Sequence, residues 1–218
     1  MAAFSHLVGA AGTVGTQRIF DRLRNSCVFI IFVGMAGTVA LNYAFVARWV
    51  GPQLFGGTLL TCLLAIEMGE VLSMLVHQEM LFAMGAVGEI GRVRLHEGLF
   101  KVAAQALLCW AVGIAGIPLA GILSASFARL VLVPPLEARY LGLDLTRARR
   151  AAWVELARLL AAVGMGLLGY ALAVRVLPAG SWPAFTAAAA LAAVVYAGCG
   201  WVLLPSVRRE LTVLTRVV

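Results

Sequence analysis

The sequence predicts an all-α, polytopic membrane protein with six transmembrane helices and both termini on the cytoplasmic side. Of its 218 residues, 62% are hydrophobic and only 12% are charged, whereas a water-soluble domain carries about 25% charged residues. The apolar residues form six segments, each close to the length of about 20 residues that crosses a bilayer. Arginines concentrate in alternate loops. These observations exclude a soluble enzyme, a secreted disulfide scaffold and a disordered chain.

The six predicted spans are separated by glycine and proline residues, which interrupt helices. They cover residues 27–47, 55–85, 96–114, 118–140, 153–176 and 184–204. We therefore divide the chain into an N-terminal amphipathic, cytoplasmic segment (1–26), a transmembrane domain (27–205) and a basic cytoplasmic tail (206–218). Glycines three residues apart within or beside spans favour close helix packing; the pairs are Gly34/Gly37, Gly113/Gly116 and Gly166/Gly169.

The orientation follows from the arginines, because cationic side chains favour cytoplasmic loops. With the N-terminus inside, twelve arginines lie in the four cytoplasmic segments, whereas only Arg48 and Arg175 lie on the outer side of the membrane. The net charge of +7 is then explained by loops that face an anionic leaflet, and nucleic acid is not needed. Sixteen of the 17 basic residues are arginine, which is typical of a GC-rich bacterial genome. We expect a multi-pass protein of the bacterial cytoplasmic (inner) membrane.

Three charged residues are predicted to lie deep in the membrane. Glu67 and Glu70 are three positions apart and therefore share a helix face. At the rise of an α-helix they lie about 18–22 Å from the outer end of the second span, and Arg129 lies about 16 Å from the outer end of the fourth. The similar depths allow a contact. Because a lone charge there costs about 2.5–3.5 kcal/mol, we expect the groups to line a polar cavity or to form a structural ion pair.

Other polar residues lie nearer the predicted membrane surfaces. Lys101 and Arg158 are close to inner ends of spans, where long side chains reach the headgroups. His77 lies near the inner end of the second span, and interfacial solvation explains it. The four cysteines are dispersed and no metal-ligand spacing occurs. No nucleotide-binding loop or hydrolase motif is present, so we expect no catalytic residue, metal or cofactor, and an integral membrane enzyme is the weakest alternative.

The order of several short motifs resembles a known family. A segment GTQRIFDRLR (15–24) precedes a span that ends in FVARWVG (45–51). LFGG (54–57) then leads into a long helix that ends in AMG (83–85), and GIAGIPLA (113–120) forms a later outer turn before Arg139-Tyr140. This order is similar to the C-terminal part of polysaccharide flippases of the multidrug/oligosaccharidyl-lipid/polysaccharide exporter superfamily. The resemblance is best over residues 15–145.

The resemblance implies a fold and a function. Such proteins translocate undecaprenyl-diphosphate-linked oligosaccharide across the inner membrane during lipopolysaccharide and polysaccharide biosynthesis, through a cavity between two helical lobes. By analogy, Arg129, Arg158 and Lys101 are candidate substrate-binding charges, because arginine forms forked contacts with phosphate. Glu67 and Glu70 are candidates for ion coupling or for salt bridges. The assignment of these residues rests on their depth.

The length departs from the family, whose members have twelve to fourteen spans. We therefore expect a half-size or truncated transporter that works as a homodimer or with a complementary half, since a six-span repeat keeps its orientation. The alternative is a non-transporting six-span accessory subunit of a polysaccharide assembly complex.

Overall fold

The computed structural model describes residues 2–176 and 181–203, and every regular element within them is helical. The helices are α1 (Ala2–Trp49), α2 (Thr58–Ala83), α3 (Val87–Val112), α4 (Gly116–Phe127), α5 (Val133–Leu141), α6 (Leu145–Val176) and α7 (Trp182–Leu203). A π-helical turn (Ala128–Leu132) joins α4 to α5. The predicted basic tail (206–218) lies outside the described residues.

Five stretches of the described chain are long and apolar enough to cross a membrane. They are Gly15–Trp49, Thr58–Ala83, Val87–Leu141, Leu145–Arg175 and Trp182–Val202. The all-helical class is therefore confirmed, and these stretches indicate a multi-pass membrane protein. The predicted boundary at 26/27 is not a helix boundary, because α1 runs through it without a break.

The third of these stretches is a helical hairpin. A short 3-10 turn (Gly113–Ala115) separates α3 from α4, and Gly113 adopts a positive φ of 66°. Phe100 stacks on Phe127 with ring centroids 5.5 Å apart, and the Tyr140 hydroxyl donates to Glu89 at 2.9 Å. The contacting residues are farther apart in the sequence when they lie farther from the turn. This is the pattern of two helices that pair in antiparallel orientation. The arms correspond to the predicted third and fourth spans.

The chain divides into two compact units, and helices α1, α2 and α6 contribute to both. The first unit contains residues 1–27 and 70–157. Apolar residues of α2, α3 and α5 form its core, with Met74, Leu81 and Ile90 fully buried. A second cluster packs Phe20 of α1 on Met80 and Leu141.

A polar junction between α5 and α6 also belongs to the first unit. Gly142 ends α5 in the left-handed conformation, and Asp144 accepts hydrogen bonds from the backbone N–H groups of Thr146 and Arg147. Asp144 is thus the N-cap of α6. The Thr146 hydroxyl also donates to this carboxylate, and together these hydrogen bonds hold the pKa of Asp144 below its ordinary value.

The second unit contains residues 28–69 and 158–218, of which the structure describes those up to 203 with a gap at 177–180. Ile31, Phe32 and Met35 of α1 pack on Leu159 of α6 in its core. Tyr196 of α7 packs on alanines of α1.

Close helix packing at the predicted glycine pairs is confirmed for some members and not for others. A Cβ on Gly166 would lie 2.7 Å from the Val39 Cβ, so α1 and α6 approach closely there. Gly116 likewise contacts the backbone of α3. Gly34 and Gly37 have open space around them, so packing does not require glycine at those two positions.

Candidate functional site

The first unit contains a group of buried polar residues that we call the buried charge cluster. Its members come from five segments, α1, α2, the π-helical turn, α5 and α6; they are Arg24, Glu70, Ser73, His77, Arg129, Glu137 and Glu155. All except Arg24 are buried, with exposed fractions of 3% or less. Charged groups within apolar spans are rare and mark functional sites by default.

Helix α2 supplies three members of the cluster from one face. Glu70, Ser73 and His77 follow the spacing of three and four residues that aligns side chains along a helix. Their exposed fractions are 0%, 2% and 3%, while Met68 and Leu72 on the same helix are exposed at 56% and 43%. One side of α2 therefore has polar residues that are covered by protein, whereas Met68 and Leu72 lie on the exposed side.

Arg129 enters the cluster from the π-helical turn. Pro134 and Pro135 follow closely and lack the N–H groups that would bond the carbonyls four residues earlier. The backbone widens just before them, and the Val133 N–H donates to the Ala128 carbonyl five residues back. Such π-helical turns are rare and frequently occur at functional sites. The two prolines thus give a local reason for the irregular backbone at Arg129.

Every guanidinium nitrogen of Arg129 has a partner. Nε donates to Glu70 Oε2 at 2.8 Å, and Nη2 donates to the Glu70 carbonyl at 3.1 Å. Nη1 donates to Ser73 Oγ at 2.8 Å and to Glu155 Oε2 at 2.7 Å. The Arg129 side chain is 1% exposed. It is therefore fully neutralised and held by two carboxylates.

Glu155 connects Arg129 to His77 within the cluster. Its Oε2 accepts from Arg129 and from Ser73 at 3.1 Å, and it lies 3.0 Å from His77 Nε2. Its Oε1 lies 3.1 Å from Arg24 Nε, in an orientation that makes an ion pair without a hydrogen bond. Glu155 thus has two guanidinium groups and an imidazole around it.

His77 lies between two carboxylates. Its Nε2 faces Glu155, and its Nδ1 makes a short contact with Glu137 Oε1. The Phe20 ring packs edge-on against the imidazole, with centroids 5.4 Å apart. Both ring nitrogens are therefore used, and the ring is shielded from solvent.

The structure brings together only part of the predicted site. Glu70 and Arg129 form the ion pair that their depths allowed. Glu67 and Arg158 belong to the second unit, and Lys101 lies on α3 of the first unit; all three are half-buried. The interpretation of His77 as a residue solvated at the membrane surface is wrong, because protein covers it on every side.

Sequence reasoning missed four members of the cluster, which are Arg24, Ser73, Glu137 and Glu155. Arg24 was counted only among the arginines of the cytoplasmic segments. For Ser73 a signal was available, since it falls between Glu70 and His77 on the same helical face. Glu137 and Glu155 lie at ends of predicted spans, next to basic loop residues. An acidic side chain in that position is expected at the surface. Their burial depends on how the helices pack.

The arrangement is suited to holding charge and protons. No group of three histidine, cysteine or acidic residues in the described part of the chain is placed to hold a metal ion. In the second unit, a groove of about 400 Å³ between α1, α6 and α7 has almost entirely apolar walls, including Leu168, Leu172 and Val195. Comparisons with protein-family models, curated proteins and solved structures found no match for this chain.

Proposed function

We propose that the protein is a membrane transporter of the polysaccharide flippase type, which moves undecaprenyl-diphosphate-linked oligosaccharide across the bacterial inner membrane. The observation that carries this proposal is the buried charge cluster. Helices that are otherwise apolar enough to span a bilayer enclose Glu70, Arg129, Glu155 and His77. Intramembrane charges of this kind mark substrate and ion pathways. The motifs that resemble the flippase family supply the substrate class.

The contacts of Arg129 suggest how it would meet a diphosphate. Glu70 and Glu155 already occupy its nitrogens, so a phosphate must displace a carboxylate to bind there. Phosphate and carboxylate have the same sign and compete for the same forked donor. We propose that substrate binding and the Glu70–Arg129 pair exclude each other, and that Glu70 provides ion coupling. Arg158, Lys101 and Glu67 remain predicted site residues of this transporter.

We further propose six membrane crossings with both termini in the cytoplasm. The two antiparallel arms of the hairpin over 87–141 support this count, because each arm has about 25 residues and can cross by itself. Two copies of the chain, or one copy with a complementary half, would rebuild a transporter of twelve spans.

The saturated state of Arg129 also favours a second candidate function. A cluster whose charges are all paired and covered needs no substrate, as expected for a non-transporting accessory subunit of a polysaccharide assembly complex. In that case the cluster holds helices together.

The two functions are separated by reconstitution of the purified chain in liposomes. The probe is an undecaprenyl-diphosphate-linked oligosaccharide with a fluorescent sugar, and its loss from the inner leaflet is followed with a membrane-impermeant quencher. We expect transfer above that of protein-free liposomes. No transfer by the chain alone would refute a flippase built from two copies of it. If transfer appears only after a second membrane protein is added, loss of transfer in the cluster variant Glu70→Gln would support a complementary half, and unchanged transfer would support the accessory subunit.

A matched pair of variants tests the cluster in the same assay. Glu70→Gln removes a buried carboxylate, whereas Glu79→Gln makes the same change at an exposed position on the same helix. We expect transfer at least tenfold slower for E70Q and unchanged for E79Q. Equal rates for the two variants would exclude Glu70 from the mechanism.

A further inference from the structure

We propose that the contact between His77 Nδ1 and Glu137 Oε1 is a proton-binding site, which holds one dissociable proton in the folded protein. The first argument comes from hydrogen-bond donors. Both imidazole nitrogens face carboxylate oxygens. A neutral imidazole has one N–H and one lone pair, so one of the two contacts would place a lone pair against a carboxylate. An additional proton removes that repulsion.

The partners of Glu155 show which contact needs the proton. Glu155 Oε2 accepts hydrogen bonds from Arg129 and Ser73, and its Oε1 faces the cationic Arg24. This carboxylate has positive or donor groups on both oxygens and is therefore ionised. The intrinsic N–H of the imidazole satisfies the contact of Nε2 with Glu155. The extra proton then lies at the other contact, between His77 Nδ1 and Glu137.

The second argument is the charge of the cluster. It contains three carboxylates, Glu70, Glu137 and Glu155, and two guanidinium groups, Arg24 and Arg129. Asp21, which pairs with Arg24, also pairs with Arg147 of α6 at 3.5 Å, and these two charges cancel. Without a further proton the group therefore has a net charge of −1. An uncompensated buried charge costs several kcal/mol. One proton shared by His77 and Glu137 makes the cluster neutral, so charge and hydrogen bonding require the same proton.

The side chains in contact with His77 are Phe20, Glu137 and Glu155, and the other charged members of the cluster pair with Glu155 or with Arg129. Helix α1 contributes Phe20 and Arg24, with Asp21 paired to Arg24 at 2.9 Å. The remaining charged or polar groups come from α2, the π-helical turn, α5 and α6; they are Glu70, Ser73, Arg129, Glu137 and Glu155. Arg24 is 16% exposed and its partner Asp21 is 32% exposed, so the cluster is nearest to solvent on the side of α1.

The proton site stands on these contacts alone, and its use in transport rests on the proposed function. Release of the proton would leave Glu137 and a lone pair of His77 in contact. The repulsion between the carboxylate and the lone pair falls if α5 moves away from α2, because Glu137 lies on α5 and His77 on α2. A transporter would then have a link between proton release and helix movement.

The experiment is nitrogen NMR of histidine in the full chain, reconstituted in phospholipid nanodiscs without substrate. The chain has three histidines, so the double variant His6→Gln, His96→Gln leaves His77 as the single reporter. Spectra at about pH 8 are informative, because a solvated imidazole with its ordinary pKa of about 6.5 is neutral there. Infrared spectra of the same sample report protonated carboxyl groups.

We expect either an imidazolium with both nitrogens protonated, or a neutral ring beside a protonated carboxyl whose infrared band disappears in Glu137→Gln. In that variant two carboxylates balance two guanidinium groups, and the amide can donate to Nδ1. His77 should then be neutral with its proton on Nε2, while Glu79→Gln leaves the spectrum unchanged. A neutral His77 with an ionised Glu137 in the otherwise unaltered cluster would overturn the proposal, and so would an imidazolium that persists in Glu137→Gln.

The outcome is independent of the transport assay. A proton at His77 without translocation would leave the site intact and refute the flippase. Translocation with a neutral His77 and an ionised Glu137 would do the opposite.

Discussion

The pairing of Arg129 with Glu70 predicts a specific pattern of stability in single and double variants. Arg129→Gln leaves two buried carboxylates, Glu70 and Glu155, without their shared cation. Loss of one partner from a buried ion pair costs about 3–5 kcal/mol. Glu70→Gln should cost less, about 1.5–3 kcal/mol, which is the range for one hydrogen bond to a charged group. The smaller cost follows because Arg129 keeps Glu155 as a counter-charge.

The double variant Glu70→Gln, Arg129→Gln removes both charges together. Its loss of stability should be smaller than the sum of the single losses by about 2–3 kcal/mol, the upper range for residues in direct contact. The assay is unfolding of the purified protein by SDS in mixed micelles, followed by circular dichroism. Glu79→Gln, an exposed change on the same helix, should stay within about 0.5 kcal/mol of the unaltered protein.

Additive losses in the two single variants would refute the reasoning, because the pair would then contribute no coupling energy. A loss below about 0.5 kcal/mol for Arg129→Gln would refute it as well, since that is the range of surface substitutions. Either result would mean that the two side chains are not buried against each other in the folded protein.

Three further predictions concern the frame around the cluster. In the unaltered protein, the ionised Asp144 stabilises the fold at pH values above the pKa of Asp144 in the unfolded chain, and this stabilisation is lost as the pH falls through its lower pKa in the folded protein. Asp144→Asn keeps the cap of α6 but removes the carboxylate charge. The pH dependence that Asp144 adds to the melting temperature should therefore disappear in this variant. Gly116→Ala places a Cβ 2.4 Å from the α3 backbone and should cost about 1–3 kcal/mol, whereas Gly88→Ala, which meets open space, should cost less in the same unfolding assay. Gly169→Ala places a Cβ 1.8 Å from the Tyr196 hydroxyl, so adding Tyr196→Phe should recover part of the lost melting temperature, and a further loss would contradict this contact.

Much of the fold could be predicted from the sequence, because apolar length and glycine or proline breaks are local properties. The predicted spans over 55–85, 153–176 and 184–204 coincide with α2, α6 and α7 to within a few residues, or eight at the start of α6. The hairpin turn Gly113–Ala115 lies at the predicted junction between the third span, which ends at 114, and the fourth, which begins at 118. The long helix α1 was not, because the small residues before Thr16 are too few and too weakly apolar to predict a span.

The candidate site was predicted only where depth along one helix was sufficient. Glu70 and Arg129 are in contact because both lie near the middle of their spans. Glu137 and Glu155 lie near the ends of the predicted spans 118–140 and 153–176, and their burial arises from the packing of α5 and α6 on α2. Such packing depends on residues far apart in the sequence. The same limit explains His77, whose position near a helix end was interpreted as exposure.

The central claim is that the buried charge cluster takes part in transport and is more than a structural ion pair. The most direct test measures translocation of the fluorescent lipid-linked oligosaccharide by the double variant Glu70→Gln, Arg129→Gln in liposomes, after the unfolding assay has shown that the variant is folded. We predict a folded protein that translocates at least tenfold more slowly than the unaltered chain and than Glu79→Gln. Translocation at the rate of the unaltered chain would contradict the claim and leave the Glu70–Arg129 pair as a structural contact.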